Sequence, residues 1–454
     1  MSDTLIVSVS GLRGVVGTSL TPDVAVRYAA AFAETLPPGP IAIGRDGRTH
    51  GPLFAATLRE FFSAAGRDVI DCGVAATPTV GIVVREERAV GGIQISASHN
   101  PPQYNGLKLF SAAGRVLPAA AGAVVLERFR VPSDRVAAGG TPRGAVREID
   151  GGPAHVRLVA ATIDVEAIRR RRPRVWLDAG HGAGSRAARL LFEHLGCDYL
   201  IEGGQPDGLF EHPPEPTAEN LAAMLPRIRH QRADVGFFQD PDADRLAIAT
   251  AAGDYVGEEA TLALCAEAVL AKTPGPIVVN CSTSGMTAAI AARHGVPCHV
   301  SAVGEANVVD GMLATHAVLG GEGNGGVIDP RVVLVRDSLV AMALVLERLA
   351  TAAPGSTLAD LAAALPRLVM KKTKIDLAPD VQGAALAAGL DRIERAFPEG
   401  RAGRLDGLRL DFAGGWLLVR ASNTEPIVRL VAEADTEAAV DDALARARNS
   451  LLGR

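Results

Sequence analysis

Ser98 and His99 are the residues of this chain most suited to group-transfer chemistry. Alternating apolar residues before them predict a strand that the Asn-Pro-Pro sequence at 100–102 ends, so both side chains stand at the mouth of a turn. A serine there can act as a nucleophile if it is activated or already carries a phosphoryl group. An ordinary turn, in which such residues satisfy backbone groups, is the alternative. The Asn-Gly pair at 105–106 predicts a second tight turn, with the cation of Lys108 nearby.

The segment 240–245, Asp-Pro-Asp-Ala-Asp-Arg, is a candidate metal site. Asp240, Asp242 and Asp244 repel one another unless a divalent cation neutralises them, and such oxygen ligands suit Mg²⁺. A calcium EF-hand loop does not fit, because Arg245 stands where that loop needs glycine and Ala251 where it needs glutamate. A solvated acidic turn, partly balanced by Arg245, is the alternative.

A glycine-rich segment, residues 320–326, follows a short apolar run and could bring its backbone close to a ligand. Within it, Glu322 and Asn324 offer acceptors and donors suited to sugar hydroxyls. A flexible surface turn explains the same composition equally well.

The segment from Arg420 to Arg429 combines two arginines with Ser422, Asn423 and Thr424 in a turn after a predicted strand. Hydroxyls, backbone N–H groups and guanidinium forks together can hold a phosphate. The alternative is a polar hairpin turn with exposed arginines. The chain has no Walker sequence, so a nucleotide phosphate loop of that kind is excluded.

Two further groups of basic residues lie near the amino terminus. Arg13 stands between glycines that can bring it close to an anion. Arg45 and Arg48 flank Asp46, and an internal salt-bridge network explains them as well as ligand contact does.

The elements that must position these residues follow a repeated pattern. Short apolar runs that begin at Ile41, Val175 and Ile277 each lead through a polar or glycine-rich turn into an amphipathic helix signal. Their wide spacing is typical of domains and too long for a solenoid repeat. The sequence therefore predicts three related α/β domains.

Beyond about Pro366 the pattern changes to strands clustered around two helices, which predicts a smaller α+β domain. Glycine, proline and polar residues interrupt the periodic segments at three places. The predicted domains are residues 1–150, 151–253, 254–366 and 367–454.

Composition excludes several classes of protein. The chain has 454 residues, 48% hydrophobic and 21% charged, which excludes disorder and collagen-like repeats. Its net charge of −5 gives no overall attraction to nucleic acid or anionic lipid, so any anion site is local. Five scattered cysteines without a C-x-x-C pair, an amino terminus unlike a signal peptide and no membrane-spanning stretch predict a cytoplasmic location without nucleic-acid or membrane partners.

Four motifs occur in order, one per predicted domain: Ser-Ala-Ser-His-Asn-Pro, Asp-Pro-Asp-Ala-Asp-Arg, Gly-Glu-Gly-Asn-Gly-Gly and Arg-Ala-Ser-Asn-Thr-Glu-Pro. With this order the chain resembles the α-D-phosphohexomutase superfamily of phosphoglucomutases, phosphomannomutases and phosphoglucosamine mutases. The resemblance covers nearly the whole chain. It implies three similar α/β domains with mixed sheets and a mobile C-terminal α+β domain around a central cleft.

The resemblance also implies roles for individual residues. Ser98 is implied as the phosphoserine, with Arg13, His99 and Lys108 beside it in the catalytic group. The implied Mg²⁺ ligands are Ser98 through its phosphate, Asp240, Asp242 and Asp244. The implied substrate-binding residues are Arg245, Glu322, Asn324, Arg420, Ser422, Asn423, Thr424 and Arg429.

The implied reaction moves a phosphoryl group between O6 and O1 of a hexose phosphate, through phosphoserine and a hexose 1,6-bisphosphate that serves as intermediate and activator. Superfamily members commonly have histidine where this chain has Gly326, and glycine where it has Pro241. The sugar loop favours phosphoglucosamine mutase, with phosphomannomutase or phosphoglucomutase as the alternative. The chain is expected to be a monomer or homodimer. Two rival hypotheses are an enzyme with Asp240 as nucleophile and a sugar-phosphate sensor without turnover.

Overall fold

The computed structural model describes residues 5–131, 142–376, 384–421 and 427–453. Ser422, Asn423 and Thr424, expected to bind phosphate, lie outside the described residues. The described part folds into four β-sheets with flanking helices. Over these ranges, every helix is too short or too polar to span a bilayer.

The first sheet has seven strands and four associated helices. The strands are β1 (Ile6–Ser8), β2 (Gly11–Val15), β3 (Ile41–Arg45), β4 (Val69–Val74), β5 (Gly91–Ile95), β6 (Tyr104–Ser111) and β7 (Val146–Glu148). The helices are α1 (Pro22–Ala33), α2 (Gly51–Ala64), α3 (Thr77–Glu86) and α4 (Ala119–Arg130). The sheet order is β1-β2-β6-β5-β3-β4-β7.

The second sheet has the order β11-β10-β8-β9. Its elements, with two preceding helices, are α5 (Gly152–Ala160), α6 (Val165–Arg171), β8 (Arg174–Asp178), α7 (Ser185–Leu195), β9 (Asp198–Glu202), α8 (Ala218–Leu221), α9 (Leu225–His230), β10 (Val235–Gln239) and β11 (Leu246–Thr250).

The third sheet has the order β13-β12-β14-β15. Its elements are α10 (Glu258–Leu270), β12 (Ile277–Asn280), α11 (Gly285–Arg293), β13 (Cys298–Ser301), α12 (Glu305–Thr315), β14 (Leu319–Glu322), β15 (Gly326–Ile328), α13 (Ser338–Thr351) and α14 (Leu358–Ala363).

The fourth sheet is antiparallel throughout, in the order β16-β20-β19-β18-β17. Its elements are β16 (Val369–Asp376), α15 (Ala384–Ala396), β17 (Arg401–Gly403), β18 (Leu408–Phe412), β19 (Gly415–Ala421), β20 (Ile427–Ala434) and α16 (Glu437–Leu452). The predicted C-terminal α+β arrangement is confirmed.

The first three sheets share one four-strand unit. In each, the first strand in the chain pairs in parallel with the second and the third, and the third pairs antiparallel with the fourth. The first strands are β3, β8 and β12, which begin at or within one residue of the predicted apolar runs. The prediction of three similar α/β units with mixed sheets is therefore confirmed.

Burial divides the described residues into separate cores. One large apolar cluster joins the second and third sheets to the α3 side of the first, and α10 and α13 run through it almost entirely buried. The fourth sheet has an apolar core of its own with α15 and α16. Each sheet together with its helices is called a unit. Because apolar burial is the main stabilising force, the stability of the fourth unit depends less on the other units than theirs depends on one another.

The second tight turn expected at residues 105–106 is wrong, because both residues lie inside β6. Gly106 pairs with Arg13 of β2. A Cβ at Gly106 would lie 2.4 Å from the carbonyl oxygen of Leu12 and 2.8 Å from that of Ser96. The glycine therefore serves close packing of neighbouring strands, which overrides its turn propensity.

Candidate active site

Three of the four motifs occupy the same place in the repeated unit. Ser98 follows β5 and precedes β6, residues 240–245 join β10 to β11, and residues 323–325 join β14 to β15. Each motif is thus the turn between the third and fourth strands of the repeated arrangement, so three equivalent turns supply three different sets of side chains. The glycine-rich segment is built into two buried strands and is not a surface turn.

Ser98 is held in an unusual backbone conformation at this turn. Its φ is +49°, a left-handed conformation that serine rarely adopts. Its backbone N–H donates to the Ser96 hydroxyl at 2.8 Å, and that hydroxyl donates to Asp46 at 2.6 Å. The Ser98 hydroxyl donates to Asp240 Oδ2 at 2.9 Å and lies 3.3 Å from His99 Nδ1. The buried serine therefore points at the acidic motif of the second sheet.

Arg48 organises the backbone around Ser98. The guanidinium is 1% exposed and donates to the carbonyl oxygens of four residues of this turn. They are Ser98, Asn100, Pro101 and Tyr104, at 2.5–3.0 Å. Its Nε also donates to Asp46 Oδ2 at 3.1 Å. Of the two sequence interpretations of Arg48, the internal network is therefore the correct one.

The three aspartates of the second motif converge in a fully buried cluster. One ligand oxygen from each lies within 4.8 Å of the other two. Asp240 Oδ1 accepts the backbone N–H groups of Asp244 and Arg245 at 3.1 Å, and Asp242 Oδ2 accepts the Thr77 hydroxyl at 2.6 Å. Over the described residues, Oδ1 of Asp242 and of Asp244 lack hydrogen-bond partners. Buried carboxylate oxygens without hydrogen-bond donors, in the cluster that Ser98 contacts through Asp240, fit a divalent cation that prefers oxygen ligands.

The charges around the cluster shift the pKa values of Asp240 and Asp244 in opposite directions. Burial and the two neighbouring carboxylates raise the pKa of Asp240 well above its ordinary value. Burial would also raise the pKa of Asp244, but Arg336, Lys108 and Arg245 together hold it below its ordinary value. Lys108 Nζ lies 2.7 Å from Asp244 Oδ2 and 3.4 Å from Asp242 Oδ2, so its ammonium is paired with the cluster.

A cavity of about 390 Å³ opens beside Ser98. Arg13, His99 and Lys108 line it, and so does Arg429 from the fourth sheet. The positive charge of Arg245, burial and the charge of Arg13 lower the pKa of His99 well below its ordinary value, so its imidazole is neutral near pH 7. The cavity thus joins a hydroxyl, a neutral imidazole and several cations.

Glu322 of the third motif lies in β14 and is joined to the aspartate cluster through Arg336. Its Oε1 accepts the Asn280 amide at 2.7 Å and the Gly304 backbone N–H at 3.0 Å, and its Oε2 accepts Arg336 Nη1 at 2.5 Å. Burial alone would raise the pKa of Glu322, but Arg336 and Asn280 hold it below its ordinary value. Asn324 is half-buried and accepts a backbone N–H two residues further on.

Arg336, Glu305 and Thr77 are site residues that the sequence analysis did not identify. All three are buried. Arg336 contacts Asp244, Thr77 contacts Asp242, and Glu305 accepts the backbone N–H of Arg336. Each of these contacts joins elements that are distant in sequence. Their sequence surroundings carry only ordinary helix-start signals, which gave no reason to single them out.

The fourth motif is described at its two ends. Arg420 in β19 and Arg429 in β20 are paired across the two strands. Arg420 Nε donates to Asp406 Oδ1 at 2.7 Å, and Asp406 Oδ2 accepts the backbone N–H of Val303 from the third unit at 3.0 Å. This places both arginines at the strand ends that flank residues 422–426, and Arg429 reaches the cavity of Ser98.

Three related mixed sheets and an antiparallel fourth, matched unit by unit by the family models that follow, identify a phosphohexomutase, an isomerase that moves a phosphoryl group within one sugar. Phosphoglucomutase/phosphomannomutase family models match along the chain: alpha/beta/alpha domain I at residues 5–132, domain II at 153–253, domain III at 258–369 and the C-terminal domain at 367–450. The chain belongs to the phosphoglucomutase/phosphomannomutase family.

Similar proteins carry two kinds of name. A "Phosphoglucomutase/phosphomannomutase" of Thermococcus kodakarensis is 35% identical over 94% of each chain. A "Probable phosphoglucosamine mutase" of Methanopyrus kandleri is 30% identical over 94% of this chain and 93% of its own. A crystal structure of a phosphoglucomutase/phosphomannomutase family protein from Burkholderia thailandensis has a TM-score of 0.84 at 28% identity, covering 99% of this chain and 98% of its own.

Proposed function

We propose that this phosphohexomutase works through a phosphorylated Ser98, and that its preferred substrate is glucosamine phosphate. The observation that carries the mechanism is the Ser98 hydroxyl, buried 2.9 Å from Asp240 Oδ2 and open to a cavity lined by Arg13 and Lys108. The phosphoryl group passes from Ser98 to the free hydroxyl of a hexosamine 6-phosphate, giving a 1,6-bisphosphate. The bisphosphate turns over in the cleft and returns its other phosphoryl group to Ser98.

Asp240, Asp242 and Asp244 would hold Mg²⁺ together with the phosphate on Ser98, because two of their oxygens are buried without a hydrogen-bond donor among the described residues. When bound, the ion supplies neutralisation of charge on the transferring phosphoryl group. Oxygen-only ligands of this kind favour Mg²⁺ over softer transition metals.

The protein's own residues supply the remaining functions. Arg13 and Arg245 hold phosphoryl oxygens in line for transfer. The neutral His99 accepts the proton of the attacking sugar hydroxyl and returns it in the reverse transfer, while the Lys108 ammonium, paired with Asp242 and Asp244, adds positive charge beside it. Glu322 accepts hydrogen bonds from sugar hydroxyls, together with Asn324.

The non-reacting phosphate is the part of the substrate that the fourth unit would hold. The donors proposed for it are Arg420, Ser422, Asn423, Thr424 and Arg429. Because either end of the sugar must face Ser98 in turn, this phosphate site has to accept both orientations of the substrate. We also propose the unit boundaries 1–150, 151–253, 254–366 and 367–454.

The glucosamine preference is supported by the sugar loop, with Gly326 at its end, and by the relative from Methanopyrus kandleri. Phosphomannomutase and phosphoglucomutase activity is the second candidate, favoured by the name of the relative from Thermococcus kodakarensis. The kcat/KM values for glucosamine, glucose and mannose 1-phosphates, measured with Mg²⁺ and the matching bisphosphate, decide between them. A preference for mannose or glucose would overturn the glucosamine proposal.

The position of the phosphate is tested separately. Mass spectrometry of the enzyme after turnover is expected to place it on the peptide that contains Ser98. Phosphate on Asp240, labile to base, would instead establish the aspartate as nucleophile. Binding of hexose phosphates without any turnover would favour a sensor.

A further inference from the structure

Arg336 joins two of the motif turns through a single guanidinium. It precedes α13 and is almost fully buried. Its Nη2 donates to Asp244 Oδ2 at 2.6 Å, and its Nη1 donates to Glu322 Oε2 at 2.5 Å. Its backbone N–H donates to Glu305 Oε1 at 2.8 Å. One side chain therefore spans from the second unit's aspartates to the third unit's glutamate.

The two carboxylates depend on Arg336 to different degrees. Asp244 Oδ2 also accepts Lys108 Nζ at 2.7 Å, so it keeps a cationic partner if Arg336 is removed. Glu322 keeps two neutral donors, the Asn280 amide and the Gly304 N–H, but Arg336 is its one cationic partner among the described residues. Removing Arg336 therefore leaves the glutamate as a buried carboxylate without a cation at ion-pairing distance.

Gly326 makes the room that Arg336 occupies. A Cβ at this position would lie 2.2 Å from Arg336 Cδ and 2.9 Å from its Cγ, which no real contact permits. Those methylenes lie in the middle of the side chain, so an added methyl group would displace the guanidinium from its carboxylates. The glycine at the end of the sugar loop and the arginine thus form one packing unit.

We infer that Arg336 is a positioning residue that fixes the sugar loop at Glu322 relative to the aspartate cluster at Asp244, in space that Gly326 leaves open. The inference rests on the proposed function, because it takes Glu322 as a sugar contact. A planar fork can bind two carboxylates at once, whereas an ammonium group cannot reproduce that geometry. Among the described residues, the polar contacts of Arg336 are with Asp244, Glu322 and Glu305 and not with Ser98.

Two substitutions separate the bridging geometry from the charge. Arg336→Met is expected to lower kcat/KM roughly 10- to 100-fold, the effect typical of removing a residue that orients site ligands. Mn²⁺ binding to the enzyme without sugar, followed by electron paramagnetic resonance, is expected to be no weaker than in the wild type, since Lys108 still holds Asp244. Arg336→Lys keeps the charge and is expected to recover only part of the lost kcat/KM.

The contrary results are equally definite. An Arg336→Met enzyme with wild-type kcat/KM, or an Arg336→Lys enzyme that is fully active, would overturn the inference. So would weaker Mn²⁺ binding by Arg336→Met, because Arg336 would then serve the aspartates alone. Arg293→Met, at an exposed arginine on α11 of the same unit, is the matched control.

A double-mutant cycle tests the link between Gly326 and Arg336. Gly326→Ala is expected to lower kcat/KM and the free energy of unfolding in the wild type, and to have much less effect in an Arg336→Ala background, where the methyl group has room. Equal effects in both backgrounds would overturn the inference. The unfolding measurements need no substrate, so this cycle remains decisive even if wild-type assays show no mutase activity and the proposed function fails.

Discussion

The surroundings of Ser98 and the junction between the third and fourth units are built in opposite ways. Around Ser98, buried hydrogen bonds tie the first unit to the second, with Asp240 accepting the serine hydroxyl and Asp242 accepting Thr77. The fourth unit meets the third mainly through polar contacts and a small apolar cluster of Cys281, Trp416, Leu418 and Val431. The main apolar core of the fourth unit lies between its own sheet and its own helices α15 and α16.

This difference suits the two tasks of a phosphohexomutase. Phosphoryl transfer needs groups fixed before substrate arrives, because stabilising the transition state with preorganised charges costs no rearrangement during reaction. In the proposed mechanism, the fourth unit holds the sugar by either of two phosphates in turn, which needs a site that can adjust. Four substitutions, from the largest expected effect to the smallest, test whether the molecule is divided in this way.

Ser98→Ala should have the largest effect, because it removes the proposed phosphoryl carrier from the fixed side. We expect kcat/KM to fall by at least about 1,000-fold, as for loss of other catalytic nucleophiles, with the melting temperature nearly unchanged. A coupled mutase assay and thermal unfolding measure both. Ser111→Ala, at the far end of β6, is the control. Activity of Ser98→Ala near the wild-type level would show that Ser98 does not carry the phosphoryl group.

Arg48→Met should affect stability and activity together. Four carbonyl oxygens of the Ser98 turn lose their buried donor, and Asp46 loses its charged partner, so we expect a loss of about 3–5 kcal/mol in the free energy of unfolding. Urea unfolding measures this. Arg59→Met removes a partly exposed arginine from α2 beside the same sheet and should cost about 1 kcal/mol or less. Similar losses for both variants would contradict a preorganised turn.

Asp406→Ala should act on binding more than on chemistry. Asp406 orients Arg420 and accepts Val303 N–H, so its loss frees both the guanidinium and the contact between units. We expect KM to rise about 10-fold, the equivalent of one charged hydrogen bond, with a smaller change in kcat and more bisphosphate released per turnover. Product analysis measures that release. Asp391→Ala, on the outer helix α15, is the control. A fall in kcat with unchanged KM would contradict the idea that the fourth unit serves substrate binding.

His212→Ala should have the smallest effect, and a pH-dependent one. Burial alone would lower the pKa of His212, but its hydrogen bond to Asp178 at 2.7 Å raises it above the ordinary value. A raised folded-state pKa adds stability that is full below the unfolded pKa, about 6.5, and is lost as pH rises through the folded value. The variant should therefore be about 1 kcal/mol less stable at pH 6 and closer to the wild type at pH 9.

Urea unfolding at the two pH values measures this difference, with the exposed His230→Ala as control. The loop that carries His212 also places Phe210 over the Arg48 guanidinium, 5.2 Å from ring centroid to Cζ. A loss of stability that does not depend on pH would mean that His212 stabilises the protein by packing alone. The ion pair with Asp178 would then not help to fix the surroundings of Ser98.

Much of the fold could be predicted because apolar runs followed by helix signals are local features. The runs at Ile41, Val175 and Ile277 became strands at the expected places. The turn predicted at residues 105–106 was wrong because contacts distant in sequence decided the structure there: pairing of β6 with β2 and β5 outweighed the local turn propensity.

The candidate site was predictable only where its residues stand together in the chain. Asp240, Asp242 and Asp244 share one turn, so their sequence spacing alone indicated a cluster. Arg336 lies 92 positions from Asp244, and only the packing of α13 brings them together. Long-range pairs of this kind leave no local pattern.

The shared hairpin position has a consequence for how one chain can hold several chemistries. Three identical subunits around a cleft would place the same residues at every turn, so no turn could carry side chains that the other two lack. Joining three units in one polypeptide removes that symmetry. Each turn is then free to specialise, with a hydroxyl in the first, three carboxylates in the second and Glu322 beside the third, while the strand arrangement that positions them stays the same.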